Sequence, residues 1–310
     1  MTGTEEIKNW LSQHYKASVT FNEPMSSHTT FKTGGPAEMF ISPLTIDDAI
    51  NILNRASKNR IPVMIIGGGS NLIVKDKGIK GLVVSLTKTV RKISAEKTEK
   101  QDVLVNVDSG VKTHDLCRYA VKNGLSGMNF ALGIPGTVGG SICMNAGTAT
   151  GEMRDALDSV EILNGSGKLK TIKKEKLHFS YRRLNWKNIS PDPVIFSATF
   201  LLKKGDKDKI AAEADTLIKT RNNNQPVSLP SAGCIFKNPD PENPAGKLID
   251  LAGLKGRSSG NAQISERHAN FIVNKGGASS SDILDLITLA QKEVYNRFNI
   301  KLETEVKIVG

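Results

Sequence analysis

Cysteine is scarce in this chain and follows no pattern: Cys117, Cys143 and Cys234 are three in number and form no C-x-x-C pair. An odd, unpatterned set supports neither a disulfide framework nor a zinc site, and fits a reducing compartment. No metal is expected. Aromatic residues make up only 5% of the sequence, and no stacking platform or nucleic-acid-binding motif stands out. The net charge of +11 therefore needs another reading. Lysine pairs such as Lys173-Lys174 and Lys203-Lys204 look like solvated surface, and a basic balance equally favours small anionic ligands. No apolar run approaches the ~18 residues needed to cross a bilayer, so no membrane insertion is expected. Residues 1–10 are polar and acidic, without the apolar stretch of a secretory signal, which points to the cytoplasm.

What the chain does have is glycine in two concentrated loops, GGGSN at residues 67–71 and GIPGTVGG at residues 133–140. Glycine has no side chain to bury, so neither loop is expected in a packed core. It does let the backbone approach a ligand closely and adopt positive φ. Successive N–H groups in such a loop form a concavity that suits a phosphate. The first loop follows a strand-like run, Val63-Met64-Ile65-Ile66. A Rossmann fingerprint would open a helix at this point. Instead, Ser70-Asn71-Leu72-Ile73-Val74 reads as a short strand ending in a turn at Lys75-Asp76-Lys77-Gly78, and no Walker sequence is present. Alone, the first loop reads equally well as a plain tight turn. Together with the second, it reads as a strand-to-strand cradle for a dinucleotide.

At 310 residues, with 38% hydrophobic and 24% charged, the chain is long enough for two or three domains of a globular enzyme. A short helix is expected over residues 4–14, with Ile7, Trp10 and Leu11 on one face. Thr45 is placed to cap a helix that turns Ile46, Ala49, Ile50 and Leu53 to one side. Strands are expected at 63–66, 81–86, 103–107, 160–163 and 194–202, and a helix over 113–122 ending at Gly124. Residues 96–100 read as an exposed hairpin tip. The wholly polar run at 203–209 marks a domain boundary. Beyond it, a helix carries Ile210, Ala214, Leu217 and Ile218 and stops by Asn222. A long helix from about Asp282 to Phe298, capped by Ser281, turns Ile283, Leu286, Ile287, Ala290 and Val294 inward. The last expected strand runs over residues 300–309.

In order, TTFKTGGPAE (29–38), IIGGGSNLIV (65–74), GIPGTVGGSICMNAG (133–147), FSYR (179–182), PSAGCIFKNP (230–239), ERHANFIVN (266–274) and ETEVKIVG (303–310) resemble the UDP-N-acetylenolpyruvoylglucosamine reductase family. The ordered set spans nearly the whole chain. The resemblance implies an α+β protein with non-covalent FAD in a vanillyl-alcohol-oxidase-like (PCMH-type) domain. It implies a lead-in over 1–31, this cofactor domain over 32–202, and a smaller α+β substrate domain over 203–310. Only 26 residues separate Pro239 from Glu266, so the chain resembles the shorter subclass without the inserted tyrosine-bearing loop. The implied reaction has NADPH reduce FAD, which then passes the hydride to the enolpyruvyl ether of UDP-N-acetylglucosamine enolpyruvate. The product, UDP-N-acetylmuramate, belongs to peptidoglycan precursor synthesis. A monomer is expected.

The family reaction accumulates negative charge on the enolpyruvyl carboxylate and then needs a proton at the adjacent carbon. By resemblance, Arg182 polarises that carboxylate through its planar fork, with Arg183 as competitor and Tyr181 beside the substrate. Leu184 stands where the family often has a small hydroxyl residue. Glu305, in the family's terminal Glu-Val motif, is the implied partner of Arg182; alternation alone would put it on a solvated strand face with Glu303 and Lys307. Cys234 replaces the family's usual serine as proton donor. A thiol with a reference pKa of ~8.5 can fill that role. The bland alternative is a small buried hydrophobe, with Ser231 or a water as donor. Lys237 and Asn238 are expected to orient substrate, with Arg221, Gln225 and His268 as further contacts. Cofactor contacts are expected at Gly67, Gly68, Gly69, Ser70 and Asn71 around the pyrophosphate, with backbone donors from Thr33, Gly34 and Gly35. Pro135, Gly136, Thr137, Gly139 and Gly140 should approach the flavin, lined by Asn145, Ala146 and Gly147, while Cys117 and Cys143 look like packing residues. Two other classes stay open at this point: a different flavin dehydrogenase or oxidase on the same scaffold, and a basic nucleic-acid-binding protein.

Overall fold

Valine alternation organises the first of two units. In the strand Asp102–Asp108, Val103, Val105 and Val107 are buried while their neighbours are not, the period-two signature of a sheet with one face covered. This strand pairs antiparallel with Val194–Lys204, which pairs in turn with Leu157–Leu163 and that with Leu169–Lys173; Ile93–Lys97 closes the other edge. The helix Thr113–Lys122 lays Leu116, Cys117 and Ala120 into the same core as Phe200 and Leu202. It ends, as expected, just before Gly124, whose φ of 64 lies in the left-handed region that terminates helices.

The structure, a computed structural model, describes residues 3–89, 91–98, 102–164, 167–186 and 193–310. The hairpin tip expected at 96–100 falls partly outside these residues, at 99 and 100. The chain divides into Met1–Thr20, Met39–Gly68 and Gly81–Lys219 in one unit, and Phe21–Glu38, Gly69–Lys80 and Thr220–Gly310 in the other. The units therefore interleave, rather than following each other as the ranges 32–202 and 203–310 would have them. The polar run at 203–209 is the end of the strand Val194–Lys204 and the start of the helix Lys207–Asn224, and the division falls inside that helix.

The first unit has a second core. The helix Gly3–His14 buries Ile7 and Leu11 completely, against Met39, Ile41, Ile52, Leu82 and Phe196. Thr45 caps the helix Ile46–Lys58 as expected, its hydroxyl accepting from the Asp48 N–H at 3.0 Å. Beside this core the strand Val63–Ile66 pairs parallel with Ile79–Ser85.

The second unit is built on the helix Ser280–Phe298, which buries Ile283, Leu286, Ile287, Ala290 and Val294, the face read from the sequence. Its cap differs. Ser279, not Ser281, accepts from the Asp282 N–H at 3.0 Å, and Asp282 returns a bond to the Ser279 N–H at 2.9 Å. Ser281 lies in the first turn, where its N–H and hydroxyl donate to Asp76 at 3.2 and 2.9 Å. A small antiparallel sheet, Ser258–Ser259, Ala262–Ile264 and Ile272–Asn274, packs beside the helix. The last expected strand is cut short. Only Lys307–Val309 is regular, paired parallel to Leu72–Val74, and Ile308 is 37% exposed while Leu302 and Val306 are buried.

Candidate active site

The strand Val63–Ile66 delivers the first glycine loop, and the strand Leu72–Val74 takes it away, with no helix between. A Cβ at Gly67 would fall on the Thr137 hydroxyl, and one at Gly68 would stand 3.0 Å from Gly136 Cα. The second loop thus packs its backbone directly on the first, which only glycine permits. In the other unit, Gly69 has φ 60 and a Cβ there would fall on the His28 carbonyl; Gly69 is buried. Gly139 is also buried, in the short helix Val138–Cys143 that opens from the second loop, and gives its N–H to Ser109 O at 3.0 Å. Both glycines therefore correct the expectation that such loops stay out of the core: they are where two backbones touch.

Each unit holds a buried hydroxyl beside or within the glycine-bearing segments that lacks a protein partner. Among the described residues, Thr33 Oγ1 and Ser109 Oγ are buried without a hydrogen-bond partner. A buried unsatisfied hydroxyl is costly, so each is suited to a polar ligand atom. Thr33 was expected from the motif. Ser109 was missed, because a serine after a strand carries no signal of its own. Other expected contacts are already committed. Gly35 gives its N–H to Lys75 O at 3.1 Å, and Gly34 packs against Val74 and Met25. Ala146 gives its N–H to Ser141 O at 2.8 Å. The fully buried Asn145 accepts from the Arg154 N–H at 3.1 Å and donates to Ser180 O at 3.3 Å. Gly35, Asn145 and Ala146 thus also serve as structural joints.

Gly147 holds the arginine, and Asn145 holds the backbone two residues before it at Ser180. The strands His178–Ser180 and Arg183–Asn185 pair as a hairpin, with Tyr181 and Arg182 at its turn. Arg182 has φ 56, an unusual conformation for a bulky residue and one often found at functional sites. Its Nη2 donates to Gly147 O at 2.8 Å, and its guanidinium lies 5.0 Å from the Tyr181 ring centroid. Arg183 is exposed on the hairpin strand, which favours Arg182 of the two. Leu184 is buried in the core, which accounts for the departure from a small hydroxyl residue.

The second unit holds Cys234 and Glu305 on neighbouring backbone. Cys234 bridges antiparallel to Phe271 and Phe236 to Thr304, and the Glu305 N–H donates to Ile235 O at 2.7 Å. Asn270, 2% exposed, clamps this segment: its Oδ1 accepts from the Phe236 N–H at 2.9 Å and its Nδ2 donates to Phe236 O at 2.8 Å. Burial pushes the Arg221 guanidinium below its ordinary value, while the nearby Cys234 charge pushes it back up. Lys237 pairs with Glu303 at 2.5 Å, giving a partner role to a residue the sequence left without one. Asn238 accepts from the Ala245 N–H at 3.0 Å, at the start of the helix Ala245–Leu251. His268 is structural in the same way. Burial holds its pKa down, its Nδ1 accepts from the Asn270 N–H at 3.2 Å, and its ring stands edge-on to Phe271 at 4.9 Å. The Gln225 carbonyl, with that of Asn222, receives Arg267 Nη1. None of the cysteines is in a disulfide, and Cys117 is fully buried with its thiol pushed up to about 12 by burial. Among the described residues no metal-binding group is present.

Residues 37–173 match the FAD binding domain family, so the chain is of the flavoprotein class, and its mixed helices and strands have the expected α+β character. Residues 225–309 match the C-terminal domain of UDP-N-acetylenolpyruvoylglucosamine reductase. The chain is 42% identical over 308 residues to the UDP-N-acetylenolpyruvoylglucosamine reductase of Desulfosudis oleivorans, covering 98% of both chains. It is 40% identical to that of Listeria innocua, covering 98% of this chain and 99% of the relative. The crystal structure of the Thermus caldophilus enzyme superimposes with a TM-score of 0.77 at 34% identity, covering 94% of this chain and 98% of that one. The chain belongs to the UDP-N-acetylenolpyruvoylglucosamine reductase family.

Proposed function

We propose that this protein is an NADPH-dependent flavoenzyme that reduces the enolpyruvyl group of UDP-N-acetylglucosamine enolpyruvate, giving UDP-N-acetylmuramate for peptidoglycan synthesis. FAD, when bound, relays a hydride from NADPH to the terminal vinyl carbon of the substrate. The chain's own residues manage the charge and the proton. Hydride arrival drives an electron pair toward the substrate carboxylate, where donors fixed in advance stabilise it most. Arg182 is that donor, pre-aimed by its bond to Gly147 O. Glu305 is the partner of Arg182 in stabilising the same intermediate. The Cys234 S–H bond then breaks as a C–H bond forms at the adjacent carbon. The thiolate left behind is favoured by the Arg221 cation.

Tyr181, Gln225 and Lys237 contact the substrate. The backbone of Gly67, Gly68, Gly69 and Ser70 holds the pyrophosphate, with Thr33, Gly136, Thr137 and Gly140 as further cofactor contacts. Residues 32–202 chiefly serve the cofactor and 203–310 the substrate, with Tyr181 and Arg182 reaching the substrate from the first range. We place the protein in the cytoplasm as a monomer; separately, no helix among the described residues is long and apolar enough to cross a membrane. Support comes above all from Glu305, whose N–H is bonded to the carbonyl of the residue next to Cys234. The test is the visible spectrum of the purified protein. A flavin band should bleach with NADPH and return, without oxygen, on adding the enolpyruvyl substrate. A colourless protein that takes up no FAD, or a bleached flavin that the substrate leaves bleached, overturns the proposal.

A further inference from the structure

We infer that Asn71 is a positioning residue for Glu305, acting through its side-chain amide rather than as a ligand of the cofactor. The inference rests on the proposed role of Glu305. Asn71 Nδ2 donates to Glu305 O at 3.1 Å, and the Asn71 carbonyl accepts from the Lys307 N–H at 3.1 Å. One residue thus grips the chain on both sides of Val306, and from there the strands Leu72–Val74 and Lys307–Val309 run on in parallel.

Glu305 needs such a grip because it lies in a bend, between the Thr304 bridge and the final strand, where no ladder fixes its backbone. Its N–H is held by Ile235 O at 2.7 Å, on the segment that carries Cys234. Its carbonyl is held by Asn71. Together these two bonds fix both peptide planes that flank the Glu305 Cα, and so the direction in which its side chain leaves the backbone. The amide is required chemically. A carboxylate at this position would face a carbonyl oxygen with another acceptor, and an aliphatic side chain would leave that carbonyl unpaired. Asn71 also follows Gly69 by two residues, and Gly69 is locked against the His28 backbone. The residue that ends the glycine loop is therefore the one that orients the glutamate.

The experiment uses full-length protein reconstituted with FAD, comparing wild type, Asn71→Ala and the similarly sized Asn71→Leu in both half-reactions by stopped flow. Flavin content and flavin reduction by NADPH should stay within about 2-fold of wild type, while reoxidation by the enolpyruvyl substrate slows by about 10-fold or more. In a Glu305→Gln background the same Asn71→Ala change should have almost no further effect, the mark of residues acting as one unit. Fully additive losses, unchanged reoxidation in both single variants, or loss of FAD from both would overturn the inference, the last by making Asn71 a cofactor ligand. A wild-type flavin that the substrate cannot reoxidise would overturn the reductase proposal itself, and this inference with it.

Discussion

Cys234 stands where the resembling family usually has serine, and the structure gives that exchange a setting. Its backbone is bridged to Phe271, and the Arg221 cation is close enough for their charges to interact. A thiol in such a place gives up its proton more readily than an alcohol, because the charge it leaves is stabilised. Cys234→Ser should therefore remain active with a slower proton step. Cys234→Ala should bleach normally with NADPH but lose about 100-fold or more in reoxidation by substrate, in keeping with the usual worth of a general acid. Rapid-mixing spectra at the flavin band measure both steps. A fully active alanine variant would return the role to Ser231 or to water.

At the scale of elements, the long helix of the second unit shows what the sequence made legible. Its buried face, Ile283 through Val294, could be read from a 3.6-residue period, which is local information. Its cap lies two residues earlier than expected, in a local Ser279–Asp282 box, whereas the role of Ser281 depends on a remote partner. Asp76 accepts from the Ser280 N–H at 2.9 Å and from Ser281, across 204 and 205 positions of sequence. The same holds in the site. Glycine loops and motif residues were visible, whereas Asn270, Ser109 and the Gly147 carbonyl under Arg182 act only through pairings that folding creates. Conversely, nothing in the sequence showed that His268 and Asn238, expected at the substrate by resemblance, also hold backbone N–H groups.

The Asp76 contact carries its own prediction. Burial would raise its pKa, but hydrogen bonds from Ser280 and Ser281 outweigh that and hold it below the ordinary value. A depressed carboxylate contributes stability that is present above the unfolded pKa of ~3.9 and is lost as pH falls through the lower folded value. Asp76→Asn should cost about 1 kcal/mol near neutrality, the usual worth of a helix N-terminal cap, reduced if solvent screens the exposed carboxylate. Urea denaturation at pH 7 and again near pH 3 reads the effect. The difference between wild type and variant should shrink at the acidic end.

For the molecule as a whole, interleaving matters more than any single contact. The core of the second unit contains Phe31 and Ile73 from the first quarter of the chain, packed with Ile235, Leu248 and Ile287. Asn274 also donates to Phe31 O at 2.9 Å. A fragment covering 203–310 lacks both hydrophobes and the strand Leu72–Val74 that pairs with its own end. Expressed alone, it should show weak near-ultraviolet circular dichroism, rapid proteolysis and no cooperative melting transition. A fragment that melts sharply would show that the C-terminal segment folds unaided.

The parallel pairing of Leu72–Val74 with Lys307–Val309 has a further consequence for how the protein is made. Asn71 waits for a partner 234 positions downstream. On the ribosome, an early strand with an open edge must stay unmatched while most of the polypeptide is still being synthesised. Such an edge invites pairing with strangers until its proper neighbour emerges. The second unit can therefore close only once residues 305–309 have been made, which makes its assembly sensitive to truncation by a premature stop.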